Sequence, residues 1–266
     1  MLYKHLLLSL TLLLVARSTP IAEGQKLSDY LWNQTAEIRK EALNASLIYG
    51  MKAKCLNPSQ FGAYIVDDIK YVYEGSKSWK IAGGRAADGN ITIQKFLEKE
   101  AKKWDAYLES YKGNWHIANT DGIEMGKAVA NYVTQIRNVA KNVTLPPVYT
   151  IVALTPCAKL WPWIGKQIGA EINNFGVYTS WVKTNLDPND KGYLKYEALV
   201  QWAYEKKIVT ADKALEIFNT SMHGEVNFFN SVKRCDSTSS FSGSTSNGPL
   251  LFLAFFSTVA RMIFNN

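Results

Sequence analysis

YTIVALTPCAKLWPWIGKQIGAEI, residues Tyr149–Ile172, is apolar around nearly its whole circumference if wound as a helix, and it is far too long for a strand. A helix without a polar face has to lie at the centre of a fold, with other helices packed around it. The flanking sequence supplies them, because apolar residues recur there at i, i+3 and i+4 with charges between. Upstream, Tyr30 to Lys52 reads as an opening helix with Ser28 or Asp29 as N-cap. A second helix starts at Pro58-Ser59 and runs through Phe61, Tyr64, Ile65, Asp68, Ile69 and Val72. Ile93 to Tyr111 and Glu124 to Val143 follow, the latter stopped by Pro146-Pro147. Downstream come Val177 to Thr184, Tyr193 to Lys206 and Thr210 to Val232, with Thr210 as the last N-cap. No stretch sustains strand alternation, so the expected fold is an all-α bundle, with polar or functional groups to be sought at its centre.

The bundle occupies residues 25–235 as one domain, without an internal repeat or linker. Outside it the sequence changes character. Lys4 and His5 precede a leucine-rich run from Leu6 to Ala16, followed by Ala16-Arg17-Ser18 and Pro20, which reads as a signal peptide over residues 1–18. Cleavage after Ser18 is the first choice and Ala22-Glu23-Gly24 offers a second. At the other end, DSTSSFSGSTSNG (residues 236–248) is a small, polar spacer, and an apolar tail occupies residues 249–266. Small residues, spacer and tail form the pattern of a GPI-attachment signal, so the expected location is secreted or at the cell surface, held to a membrane by a lipid anchor. A tail-anchored helix and a terminal helix docked on the domain are the alternatives, and Arg261 within the tail weighs against both the GPI and the spanning readings. Sequons at Asn33, Asn44, Asn90, Asn142 and Asn219 agree with a secretory route and a glycosylated surface.

The formal charge of +7 includes Lys4, Arg17 and Arg261, which lie in segments expected to be lost. No block of Lys and Arg interleaved with aromatics suits nucleic acid, and that class is excluded. Three cysteines leave one over. The economical arrangement is a Cys55–Cys235 disulfide that staples the first helical segment to the end of the domain, with Cys157 as a free thiol.

Three helices carry chemistry where the pattern calls for burial. Tyr64, Asp68 and Tyr71 lie at i, i+4 and i+7, which sets an acid between two phenols on one face. Cys157 and Trp161 lie at i and i+4 behind Pro156. Met222, Glu225 and Phe229 share a stripe that turns Glu225 toward the core. Each has a plainer reading: a buried cysteine is commonly an inert small hydrophobe, an Asp beside Asp67 commonly faces water, and Glu225 would be a surface acid if the helix phase slipped by one residue.

Four segments in this order resemble the TenA/thiaminase II family: FGAYIVDDIKYVY (Phe61–Tyr73), ALTPCAKLWPWIG (Ala153–Gly165), VYTSWV (Val177–Val182) and SMHGEVNFF (Ser221–Phe229). The resemblance implies a heme-oxygenase-like helical bundle with a central pocket for thiamin or a related aminopyrimidine. It implies Cys157 as nucleophile and Glu225 as general acid/base. Asp68 would bind the amino group and ring nitrogen, with Tyr71, Tyr132, Tyr178 and Trp161 as further substrate-binding residues. The family's Gln before the Asp is Asp67 here, and the Tyr four after the Cys is Trp161, which removes a phenol from the site.

The chemistry implied needs no metal or cofactor, and His116 and His223 lack ligand spacing. The leading expectation is an extracellular thiaminase-like enzyme using water or another nucleophile as acceptor. A non-catalytic extracellular protein that binds a thiamin-like molecule is the alternative, and a purely structural surface scaffold is the third. The partners expected are that small molecule and the membrane, with room left for a homo-oligomer.

Overall fold

The computed structural model describes residues 21–86 and 89–235. The signal peptide, spacer and tail expected from the sequence lie outside the described residues. Ten α-helices and no strand are present among the described residues. They are α1 (Leu27–Gln34), α2 (Ala36–Leu43), α3 (Ser46–Lys52), α4 (Pro58–Ala86), α5 (Ile91–Asn114), α6 (Lys127–Lys141), α7 (Tyr149–Ile168), α8 (Thr179–Asn185), α9 (Leu194–Glu205) and α10 (Ala211–Phe229).

The apolar run at Tyr149 is the buried centre. Thirteen of the 20 residues of α7 are buried, so nearly its whole surface is covered by neighbours rather than one stripe. Pro156 and Pro162 sit inside this helix, and each withdraws one backbone donor from it. The helix α4 packs along α5 and α6, while α10 packs against α6, α7 and α2. Together α4, α5, α7 and α10 surround the site described below.

The single opening helix expected over Tyr30–Lys52 is three helices, with breaks at Thr35 and at Asn44-Ala45. The break at Thr35 has a local bond, and the break before α3 is supported from elsewhere in the chain. Thr35 returns its hydroxyl to the Leu31 carbonyl (3.0 Å). The Ser46 N–H at the start of α3 donates to Asn230 Oδ1 beyond the end of α10 (2.9 Å), and the Leu27 N–H at the start of α1 donates to Gln201 Oε1 of α9 (2.8 Å). Remote side chains thus satisfy orphan helix donors where local caps were expected. Neither Ser28 nor Asp29 is the cap, since α1 begins at Leu27 after Lys26. Thr210 does precede α10, but its hydroxyl makes no capping bond; its N–H donates instead to Tyr149 Oη (2.9 Å), pinning the start of α10 to α7.

Cys55 and Cys235 are bonded, with Cα atoms 6.0 Å apart, and Cys157 is the free cysteine. The link spans 180 residues and closes a loop around most of the bundle. Chain-entropy reasoning puts the stabilisation from a loop of this size at about 5 kcal/mol before any native strain. Asn33, Asn44 and Asn142 are exposed, and Asn90 and Asn219 are partly so, which leaves every sequon asparagine at the surface. No helix among the described residues is long and apolar enough to cross a membrane.

Candidate active site

Cys157 projects from the middle of α7 into a partly open cavity of about 70 Å³. Asp68, Tyr71 and Val72 reach it from α4, Trp104 and Tyr107 from α5, and Glu225 and Phe228 from α10. Trp161 and Pro162, one turn after the cysteine, complete the α7 wall. Thr184, Asn185 and Asp190 close the outer end, at and beyond the C-terminus of α8. A larger open groove of about 710 Å³ lies between α4, α6 and α10, lined by Tyr64, Tyr132 and His223 among others, but not by the thiol or either buried carboxyl.

The two carboxyls are held by phenols. Tyr132 Oη donates to Glu225 Oε1 at 2.7 Å, and Tyr111 Oη donates to Asp68 Oδ2 at 2.8 Å. Burial raises both acids to a pKa of about 7, because a carboxylate loses its hydration there. The phenols act the other way in each case, by stabilising the charged form. The charge of Asp67 adds to the rise at Asp68, and that of Asp68 to the rise at Glu225. Near neutral pH each group therefore exchanges a proton readily, as a general acid/base must.

Burial also pushes the Cys157 thiol well above its ordinary value, and the Glu225 charge pushes it further. Cys157 at rest is thus a neutral thiol, which could act as a nucleophile only by losing its proton as the sulfur attacks. Glu225 is placed to receive it, since the Cys157 thiol and the Trp161 indole both lie close enough to lower the Glu225 pKa.

The Tyr132–Glu225 contact depends on Gly224. A Cβ at that position would lie 2.4 Å from Tyr132 Cδ2, so the glycine lets the phenol ring cross α10 directly beside the acid. Gly224→Ala is expected to displace the Tyr132 ring and free Glu225 from its donor. The Glu225 pKa should then rise above about 7, since a bond to the charged form is lost. Titration of the Glu225 carboxyl by infrared difference spectroscopy would check it, and an unmoved pKa would mean that the ring finds another way past.

No protein-family model matches the sequence, and no curated protein matches it. Solved structures do match. A TenA homologue from P. horikoshii OT3 superimposes with a TM-score of 0.64 at 16% identity, covering 77% of this chain and 97% of its own. A TenA family transcription regulator from Silicibacter sp. TM1040 gives 0.64 at 16% identity, with coverages of 77% and 95%. A proposed TenA-like thiaminase from Sulfolobus solfataricus P2 gives 0.54 at 19%, with coverages of 76% and 93%. The fold is that of the TenA homologues.

Within this TenA fold, Cys157, Glu225, Asp68, Tyr71 and Trp161 share one cavity, and Tyr132 joins them through Glu225. Tyr178 does not. Its hydroxyl donates to the Leu56 carbonyl (2.8 Å) and its ring packs 4.8 Å from Phe61, beside the Cys55 end of the disulfide. The 3-10 turn Gly176–Tyr178, entered through the positive-φ Gly176, aims it there. Trp181, one turn later, packs on the same Phe61 ring (5.3 Å) and also lies 5.7 Å from Trp161. Asp67 also stands outside the cavity, accepting the Gly126 N–H at 2.8 Å at the start of α6.

Sequence reasoning passed over Trp104, Tyr107 and Tyr111. Their spacing of i, i+3 and i+7 on α5 is an aromatic stripe, and that signal was available. Nothing local marks Asp190, which reaches the cavity only through the path of its loop.

Proposed function

We propose that this protein is a thiaminase-like enzyme of the TenA family that cleaves thiamin or a related aminopyrimidine through covalent attack by Cys157. The observation that carries the reading is the meeting in one cavity of a free thiol with two carboxyls, each of pKa about 7, on three separate helices. Aromatic side chains enclose the same space, which suits a flat ring.

In this reading Asp68 orients the pyrimidine, and Cys157 Sγ adds to a ring carbon. Glu225 takes the thiol proton on one carboxyl oxygen as its other oxygen delivers a proton to the ring nitrogen, so no free thiolate has to be stored. The ring electrons then expel the thiazole from its methylene carbon. Water or an amine adds to that carbon, and the carbon–sulfur bond breaks as the proton returns to the thiol. Water gives hydrolysis and an amine gives exchange.

The test is to incubate the purified protein with thiamin, with and without an amine, and to follow the released thiazole and the pyrimidine product. Thiazole release at a rate proportional to enzyme supports the reading. Tight binding without turnover would establish the non-catalytic binding protein in its place.

The same proposal places the enzyme outside the cytoplasm, secreted or GPI-anchored and glycosylated; the sequence patterns at both ends support this, and so does the Cys55–Cys235 bond. A GPI-specific phospholipase is expected to release it from expressing cells, whereas retention alongside a shed control would exclude that anchor.

A further inference from the structure

We propose that segment 186–193, which joins α8 to α9, is a lid that has to swing outward before the Cys157 cavity can admit a ring; the assignment rests on that cavity being the ligand site of the function proposed above. Size makes the case. Partly open as it is, the cavity offers about 70 Å³, room for about two water molecules. A buried benzene occupies a cavity of about 150 Å³, and ligand pockets run from about 300 Å³ upward. An aromatic ring therefore does not fit the site as it stands, and one of the walls must yield.

Most of the wall is held from behind. Tyr71 stacks on Tyr132 with ring centroids 5.1 Å apart, and Phe228 stacks on Tyr64 at 4.7 Å. Trp104 packs against Trp79 at 6.2 Å, and Trp161 is wedged between Trp181 at 5.7 Å and Phe229 at 5.3 Å. Moving any of these rings means unpacking a second ring of a close-packed core. The outer wall differs. Asp190 reaches the cavity from segment 186–193, where Pro188, Asn189 and Lys191 are exposed, so water rather than protein lies behind them. Segments of this kind open at low cost and supply the lids of closed sites.

The segment can move as one piece between fixed ends. Within it, Asp187 accepts the Asn189 N–H on Oδ1 (2.9 Å) and the Asp190 N–H on its carbonyl (3.1 Å), and Asp190 Oδ1 accepts the Gly192 N–H (2.7 Å). At the far end two ion pairs pin α9, Lys195 to the buried Glu100 of α5 at 2.9 Å and Glu197 to Lys159 of α7. At the near end Leu186 is fully buried and its backbone rests on Gly165 of α7. A Cβ at position 165 would lie 1.7 Å from the Leu186 carbonyl oxygen, so only glycine allows this approach. Gly165 is thus the seat on which the lid closes, and a side chain there would lift the start of the segment off α7.

N-Benzylmaleimide tests the lid without a substrate. Cys157 is the free cysteine, and its sulfur adds across the maleimide double bond as the thiol proton passes to the neighbouring carbon. The adduct is far larger than the cavity of about 70 Å³, so whichever wall yields is caught open. Hydrogen–deuterium exchange of labelled and unlabelled wild type locates it. Peptides covering residues 186–193 are expected to exchange at least about tenfold faster in the adduct, with those of α4, α5 and α10 unchanged. Gly165→Ala is expected to label at least about tenfold faster than wild type, with thermal melts to verify folding. Three results overturn the lid: faster exchange in a helix while the segment is unmoved, no labelling of folded wild type under conditions that label the unfolded chain to completion, or an unchanged labelling rate in folded Gly165→Ala. Should that variant not fold, the wild-type exchange decides alone. The thiamin assay answers separately. A protein whose segment opens but which leaves thiamin intact keeps the lid and loses the enzyme reading; one that cleaves thiamin with the segment unmoved loses only the lid.

Discussion

Cys157→Ser is expected to lower thiamin turnover by at least about 10³-fold, a barrier increase of about 4 kcal/mol, while affinity stays within a few-fold of wild type. The thiol already starts at a disadvantage, because burial pushes its pKa well up. A hydroxyl is harder still to deprotonate, and Glu225 at a pKa of about 7 cannot make up the difference. Binding should survive because oxygen and sulfur differ little in size here and the groups attributed to recognition, Asp68 and Tyr71, are untouched. Steady-state kinetics with equilibrium titration of the same preparations would decide the matter. Turnover retained in the serine variant would remove Cys157 from the mechanism, and a parallel collapse of affinity would show that the change had damaged the pocket instead.

Glu225→Gln should cost activity on the same scale, yet it should make the protein more stable at alkaline pH. The carboxyl has a pKa near 4.5 when unfolded and about 7 when folded, because burial favours its neutral form. Between those values the native state binds more protons than the unfolded state, so stability falls as pH rises through the window. A shift of that size corresponds to roughly 3 kcal/mol of penalty above pH 7 that is absent below pH 4.5. Glutamine resembles the neutral acid, never ionises and leaves Tyr132 an acceptor oxygen. The variant and wild type are expected to melt alike at pH 4 and to diverge at pH 8, with the variant higher. Asp68 has a raised pKa of the same origin, so wild type should lose stability across this range from both groups. Equal melting shifts in the two proteins at every pH would mean that Glu225 is better solvated than its 2% exposure implies. The result would also express a trade between stability and function, since the enzyme would keep an ionisable group where a neutral one packs better.

The helical class was legible because its signal is local and repeated. The apolar run at Tyr149 admits one placement over Tyr149–Ile168, while its last four residues leave the core in a 3-10 turn begun at the positive-φ Gly169, and the i, i+3, i+4 pattern around it fills the remaining layers. The same periodicity put Glu225 on the stripe of Met222 and Phe229, and the side chain is buried in that place. Asp68, between Tyr64 and Tyr71 on one face of α4, was equally readable from spacing. What spacing could not convey is which way a helix-terminal or loop residue turns. Tyr178 follows a positive-φ glycine and faces Leu56, so a tyrosine that the resemblance carried into the pocket lies beside the disulfide.

The split of the opening helix shows the same division. Thr35 and Asn44-Ala45 are tolerable inside a helix by propensity, and the second break holds because Asn230, 184 residues away, takes up the freed Ser46 donor. Likewise Asp190 carries no local mark and becomes part of the cavity only through the path of segment 186–193. Periodicity along the chain was enough to say that helices form, which faces they bury and that a thiol and two acids lie on those faces. Which donors meet which acceptors, how far two acids shift toward neutrality and what rims the cavity were decided in three dimensions, because hydrogen bonding and desolvation depend on neighbours that the chain brings together only when folded.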